Sequence, residues 1–263
     1  MDWPVGEIRE AVAPMLPGFT VEVLPRTDST NSELMRRARA GRAGPVLLVA
    51  EEQTAGRGRL GRSWQSGHCD SLTFSLALSL APADWSGLSL AVGVCLAESL
   101  HPEIGLKWPN DLWWRGRKLG GILIETAVPA GAASDAARPV RGMAPVPRQV
   151  VIGIGINIAP RAATGLATAP AALREFWPDA QAGEALQRLA RPLVCAVQAF
   201  QADGYAVFKD RFDARDVLKD RPVVLSDGTE GTARGVDGNG ALLVHTAAGM
   251  TSITSAEVSV RPV

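Results

Sequence analysis

Val46-Leu47-Leu48-Val49-Ala50, Gly56-Arg57-Gly58-Arg59-Leu60-Gly61-Arg62 and Leu72-Thr73-Phe74-Ser75-Leu76-Ala77-Leu78-Ser79-Leu80 follow one another in a single stretch of the chain. The first is an apolar run of strand length. The last alternates, with Leu72, Phe74, Leu76, Leu78 and Leu80 on one side and Ser71, Thr73, Ser75 and Ser79 on the other, the pattern of a half-buried sheet strand. Between two such strands sits a loop with three glycines and three arginines. Glycine lets the backbone wrap closely around a ligand, and guanidinium forks match phosphate or carboxylate oxygens. The loop therefore expects an anion; a solvated surface turn is the alternative reading.

Working outward, Glu7–Leu16 and Thr30–Ala40 read as helices on either side of a short Val21–Leu24 strand. Thr30 and Glu33 have the capping-box spacing, and Gly41 stands where the second helix should stop. Ser29, Thr30 and Asn31 thus mark a helix N-terminus, where capping and ligand contact are both open roles. Downstream, Leu88–Leu100 reads as an apolar helix laid on the sheet. A hairpin turning at Arg115-Gly116 should then join Gly105-Leu106-Lys107-Trp108-Pro109-Asn110-Asp111 to Lys118-Leu119-Gly120-Gly121-Ile122-Leu123-Ile124-Glu125. A lysine entering an apolar strand is costly unless an anion compensates it, which singles out Lys118. The segment Ala127–Arg148 lacks periodicity and reads as a mobile insertion. Order returns at Gln149–Ile158, a buried strand whose glycines at Gly153 and Gly155 either relieve packing or open space on one face for a flat ligand. Glu184–Asp216 is helical with a break or restart at Pro192. From Arg221, short Val/Leu/Thr segments separated by Asp227-Gly228, Asp237-Gly238 and Ala248-Gly249 suggest a small barrel of hairpins, with a domain boundary near Asp220.

The chain has 263 residues, 46% hydrophobic and 21% charged, enough to bury a core. Its formal net charge of zero argues against a general nucleic-acid binder or an acidic-membrane ligand. Cys69, Cys95 and Cys195 form neither a disulfide framework nor a CxxC pair, and His68, His101 and His245 are scattered. The N-terminal stretch carries Asp2, Glu7 and Glu10 and lacks a signal-peptide core, so a cytoplasmic protein without a membrane span is expected.

Five signatures then line up in order: Ser29-Thr30-Asn31; Gln53 before the Gly/Arg loop; Lys107-Trp108-Pro109-Asn110-Asp111; Arg117-Lys118-Leu119-Gly120-Gly121-Ile122-Leu123; and Gly153-Ile154-Gly155-Ile156-Asn157. Together, over about Thr27 to Asn157, they resemble the biotin protein ligases. The resemblance implies an α+β fold, with a class II synthetase-like mixed β-sheet and helices over residues 1–220, followed by an SH3-like β-barrel over 221–263. It implies a reaction in which biotin and Mg-ATP (ATP with Mg2+, whose ligands stay unassigned) give biotinyl-5′-adenylate. A lysine of a biotin carboxyl carrier protein then takes the biotinyl group. By the same resemblance Lys118 and Arg57 are the catalytic cations. Ser29, Thr30, Asn31, Gln53, Arg57, Gly58, Arg59, Lys118, Gly121, Gly153 and Gly155 surround biotin, and Arg59, Arg62, Trp64, Lys107, Asn110 and Asn157 border the nucleotide.

Only about two dozen residues precede the sheet, too few for the DNA-binding helix-turn-helix domain that some members carry, so no DNA partner is expected. Two other readings stand beside this one. A lipoate ligase or octanoyltransferase would share the fold but differ in the Gly/Arg loop. A non-catalytic RNA-binding module would use that loop with Trp64 and Trp108, against the neutral charge of the chain.

Overall fold

The computed structural model describes residues 2–42, 44–67, 70–127, 145–161, 170–254 and 260–262, the last three as backbone only. In chain order the elements are α1 (Val5–Val12), β1 (Thr20–Thr27), α2 (Thr30–Arg39), β2 (Val46–Gln53), β3 (Ser71–Leu80), α3 (Leu88–Leu100), β4 (Gly105–Lys107), β5 (Asp111–Trp114), β6 (Arg117–Ala127) and β7 (Arg148–Asn157). After them come α4 (Ala182–Asp203), α5 (Lys209–Asp213), β8 (Pro222–Leu225), β9 (Glu230–Val236), β10 (Leu242–Thr246), β11 (Gly249–Ile253) and β12 (Val260–Pro262).

Seven strands make one mixed sheet in the order β1-β2-β3-β7-β6-β5-β4. β1 and β2 are parallel, joined by the α2 crossover that a parallel pair requires, and the other pairs are antiparallel. The two-residue period divides each strand between two cores. Leu47 and Val49 of β2, with Leu72, Phe74, Leu76 and Leu78 of β3 and Val150, Ile152, Ile154 and Ile156 of β7, join α3 and α4 in the larger one. Val46, Leu48, Ala77 and Val151 turn the other way and pack on Leu34, Met35 and Ala38 of α2.

Helix α2 is short, and it covers only part of its sheet face. Past its N-terminus the same face presents Ser75, Thr73 and Ser71 from β3, paired in register with Gly153, Gly155 and Asn157 of β7. Gly121 of β6 pairs with Gly155, and Leu123 with Gly153. These rows of small side chains form the floor of a cavity. Their burial corrects the half-buried reading of β3: Ser71, Thr73 and Ser75 are buried too, because their face meets α2 and the cavity wall instead of open solvent.

Other expectations shift in detail. The helix cap is Ser29, whose Oγ accepts from Ser32 N at 3.5 Å, and Glu33 pairs with Arg36 and Arg37 instead of closing a box with Thr30. Gly41 does end the segment, with φ of 77°. Arg115 and Gly116, both with positive φ, turn the β5–β6 hairpin as expected. Pro192 lies inside a continuous α4. The carbonyl it leaves unbonded belongs to Arg188, on the exposed side where water can serve it, while Leu189 and Leu193 anchor the helix to the core. Residues 128–144 of the expected insertion, with His68 and Cys69, lie outside the described residues; Ala127 and Arg148 themselves are strand.

The C-terminal strands form an antiparallel sheet in the order β11-β10-β9-β8-β12, and this corrects the barrel: the sheet is open, with β11 and β12 at its edges. Its apolar face does not need to close on itself. Val223, Leu225, Ala233, Val236, Leu242 and Val244 belong to the same core as α3 and α4, and Trp108 Nε1 donates to Gly240 O at 3.0 Å across the junction. Among the described residues no helix is long and apolar enough to cross a membrane.

Candidate functional site

The uncovered part of the α2 face is a cavity of about 390 Å³. The structure gathers round it Ser29, Thr30, Asn31, Gln53, Arg57, Gly58, Arg59, Arg62, Trp64, Asn110, Lys118, Gly121, Gly153, Gly155 and Asn157. Of the expected residues Lys107 is the exception. Paired with Asp111 it shares the cavity's face of the sheet, but on the edge strand its ammonium sits 5.2 Å from the Trp113 ring centre, outside the lining.

One end is neutral and tightly bonded. Gln53 Oε1 accepts from Thr30 N at 2.8 Å and Thr30 Oγ1 at 3.2 Å. Ser75 Oγ lies 2.7 Å from both Thr30 Oγ1 and Asn31 Oδ1 and gives its one proton to one of them. Asn31 Nδ2 donates to Leu123 O at 3.1 Å and to Glu125 Oε2 at 2.9 Å. Glycine at 153 is required here, because a Cβ would stand 2.1 Å from Asn31 Oδ1. The space expected for a flat ligand is thus taken at this row by Asn31, and at the next by the protein's own indole: a Cβ on Gly155 would stand 2.5 Å from Trp64 Cε2.

The Gly/Arg loop crosses the cavity as a closed turn. Trp64 N donates to Gly56 O at 2.8 Å and Gly58 N to Arg62 O at 2.7 Å, with a bridge between Arg57 and Ser63 and a 3-10 turn over Arg59–Gly61. Leu60 at its tip is exposed and takes positive φ. Arg57 Nη2 reaches back to Glu125, at 2.7 Å from Oε2 and 2.9 Å from Oε1. Glu125 therefore joins the loop to Asn31. Arg59 Nη1 donates to Asn110 Oδ1 at 3.3 Å, and burial holds its guanidinium below the usual pKa while Asp111 pulls the other way. Asn110 is itself fixed by donating to Ile122 O at 2.8 Å.

Lys118 has the anion that its position asked for: Nζ lies 2.6 Å from Asp111 Oδ1 across the β5–β6 hairpin. The side chain is 43% exposed, so its mark is this carboxylate and not desolvation. A Cβ on Gly121 would come within 3.2 Å of Nζ. At the far end of β7, Asn157 Nδ2 donates to Ala171 O at 2.9 Å. Asp111, Glu125, Thr73 and Arg161 were missed. Asp111 and Glu125 sit inside the quoted motifs, and Thr73 in the opening stretch, so position could have flagged them; a lone arginine after Pro160 carries no signal.

A family model described as the Biotin/lipoate A/B protein ligase family matches residues 23–133, and one described as the Biotin protein ligase C terminal domain matches 221–261. The chain is 37% identical over 246 residues to the bifunctional ligase/repressor BirA of Escherichia coli (strain K12), covering 88% of this chain and 70% of that protein. It is 32% identical over 255 residues to the biotin--[acetyl-CoA-carboxylase] ligase of Paracoccus denitrificans, covering 90% and 98%. The solved structure of the biotin protein ligase from Aquifex aeolicus in complex with biotin and ATP superposes with a TM-score of 0.74 at 27% identity, over 92% of this chain and 99% of that one.

Proposed function

The chain belongs to the biotin protein ligase family, and from that premise we propose that it activates biotin with ATP and passes it to a lysine of a biotin carboxyl carrier protein. In the first step a carboxylate oxygen of biotin attacks the α-phosphorus, the α–β anhydride bond breaks, and pyrophosphate leaves. In the second the carrier amine attacks the acyl carbon, losing a proton as AMP departs. Residues 1–220 form the catalytic unit in this reading, 221–263 its appendage, and the cytoplasm its setting.

One observation carries the proposal: a single cavity joins a buried, neutral, hydrogen-bonding end to a rim of cations. The neutral end suits a ureido ring, which offers both donors and acceptors. Beyond it, two anions must be brought together against their repulsion, and Lys118 with Arg57 and Arg59 supplies the opposing charge. In this assignment Ser29, Thr30, Asn31 and Gln53 hold the ring, Lys118 meets the carboxylate and α-phosphate, and Arg59, Arg62, Trp64, Asn110 and Asn157 border the nucleotide.

Magnesium accompanies ATP chemistry. Among the described residues no group of three or more His, Cys, Asp or Glu could hold a metal ion, and the carboxylate lining the cavity, Asp111, is held by Lys118. The residues do not fit a protein-built magnesium cage, and no step above runs through the ion.

The test is pyrophosphate exchange into ATP with biotin or lipoate, followed by transfer to a carrier domain. Exchange that depends on biotin is expected; exchange with lipoate alone would replace the substrate. The Paracoccus denitrificans relative and the Aquifex aeolicus structure favour biotin by name, although the 23–133 family model spans both activities.

A further inference from the structure

Arg161 follows β7 by four residues and lines the cavity beside Trp64, Gln65 and Asn157. Its guanidinium lies 5.9 Å from the Trp64 ring centre, and Nη1 donates to Gln65 O at 2.6 Å. Nε and Nη2 are buried without a hydrogen-bond partner among the described residues. These two nitrogens share one edge of the planar group, with their N–H bonds side by side, the geometry that receives two oxygens of one anion. Leaving charged donors buried and unmatched is costly. Burial accordingly holds the Arg161 pKa below its usual value, with Asp70 opposing through space.

Position selects the anion. Gly153 underlies Asn31, Gly155 underlies Trp64, and Arg161 lies past Asn157, so this arginine sits at the opposite end of the floor from Asn31. Lys118, on the neighbouring strand, lies between them.

Resting on the ligase reading above, we propose that the Nε–Nη2 edge of Arg161 is a phosphate-binding subsite, taking oxygens of the terminal phosphates of ATP and retaining them as pyrophosphate once the adenylate forms. A planar fork held beside an indole and tied to Gln65 O is pre-organised for this, whereas a lysine ammonium would keep the charge and lose the geometry.

Calorimetry of pyrophosphate and, separately, of biotin on the whole protein tests the subsite in the parent, Arg161→Gln and Arg161→Lys. Arg161→Gln should weaken pyrophosphate by about tenfold or more, with Arg161→Lys intermediate. Biotin affinity should stay within about twofold, the two positions being well separated. In exchange kinetics the KM for ATP should rise while that for biotin holds. Unchanged pyrophosphate affinity in Arg161→Gln would overturn the subsite, and so would an equal loss of biotin, which would mean a carboxylate partner or a structural role. A parent without biotin-dependent exchange would sink the ligase reading alone, since the pyrophosphate titrations would still decide Arg161.

Discussion

At the Gly153 end of the cavity the polar side chains are bonded to one another, whereas Lys118 on the hairpin and Arg57 in the loop are bonded to acids that an incoming anion could replace. Buried Thr30, Asn31 and Ser75 form one network with half-buried Gln53, and satisfied buried networks are rigid and specific. Lys118 and Arg57 make partly exposed ion pairs, with side chains 43% and 46% exposed; such pairs are worth about 0–1 kcal/mol each. One end is finished before any ligand arrives. The other holds its charge in readiness, so damage to the first should appear in biotin affinity and damage to the second in chemistry and retention.

The largest effect should come from Lys118→Ala. Removing a cation aimed at developing charge costs on the order of 10²–10³ in rate. Biotin-dependent pyrophosphate exchange should fall by that factor while calorimetric biotin binding survives. Exchange at the parental rate would take Lys118 out of the site and dissolve the contrast between the ends.

Next come the two floor glycines, which separate the ends on one strand. Gly153→Ala drives a Cβ into Asn31 Oδ1, and overpacking of this kind costs about 1–3 kcal/mol. Biotin binding should weaken by about tenfold to a hundredfold, with a lowered Tm. Gly155→Ala meets Trp64 instead and should raise the KM for ATP more than that for biotin. If both variants shifted the same KM, the cavity would be one undivided site.

Much of this was legible, and the limits are physical. Motif order placed fifteen of the expected residues on one cavity because short-range pattern fixes which strand face each one joins. Alternation in β3 could not tell a solvent face from a cavity face, since both want polar side chains. Gly153 and Gly155 relieve packing against Asn31 and Trp64 instead of leaving room for a flat ligand; these occupants come from residues far away in sequence, and one sequence does not reveal such contacts. Lys107 fell to the same limit: its motif is at the site, yet β4 points it toward Trp113. The pairing of Arg57 with Glu125, 68 positions apart, had no local sign at all.

A smaller effect is expected from Arg57→Ala. The loop closes over the cavity through its own hydrogen bonds, so it should still form, but without the guanidinium it holds the adenylate less well. Free adenylate should appear about tenfold faster in a filter assay with labelled ATP, matching the loss of a charge-assisted contact. Equal retention in parent and variant would reject the covering role.

Glu125→Gln should give the smallest change, and its sign is the sharpest test of the contrast. Glutamine keeps an oxygen for Asn31 Nδ2, so the neutral end should stay intact and biotin affinity should not move. The charge that competes for Arg57 is gone, however, and an exposed pair of this kind is worth roughly 0.2–1 kcal/mol. If the pairing is provisional, the variant should hold adenylate more tightly, by up to about fivefold, because Arg57 no longer has to leave a carboxylate to reach it. Weaker retention would mean that Glu125 positions Arg57 for the ligand instead of competing for it. The charged end would then be as pre-organised as the neutral one, with Asn31, Glu125 and Arg57 acting as a single rigid chain from floor to loop.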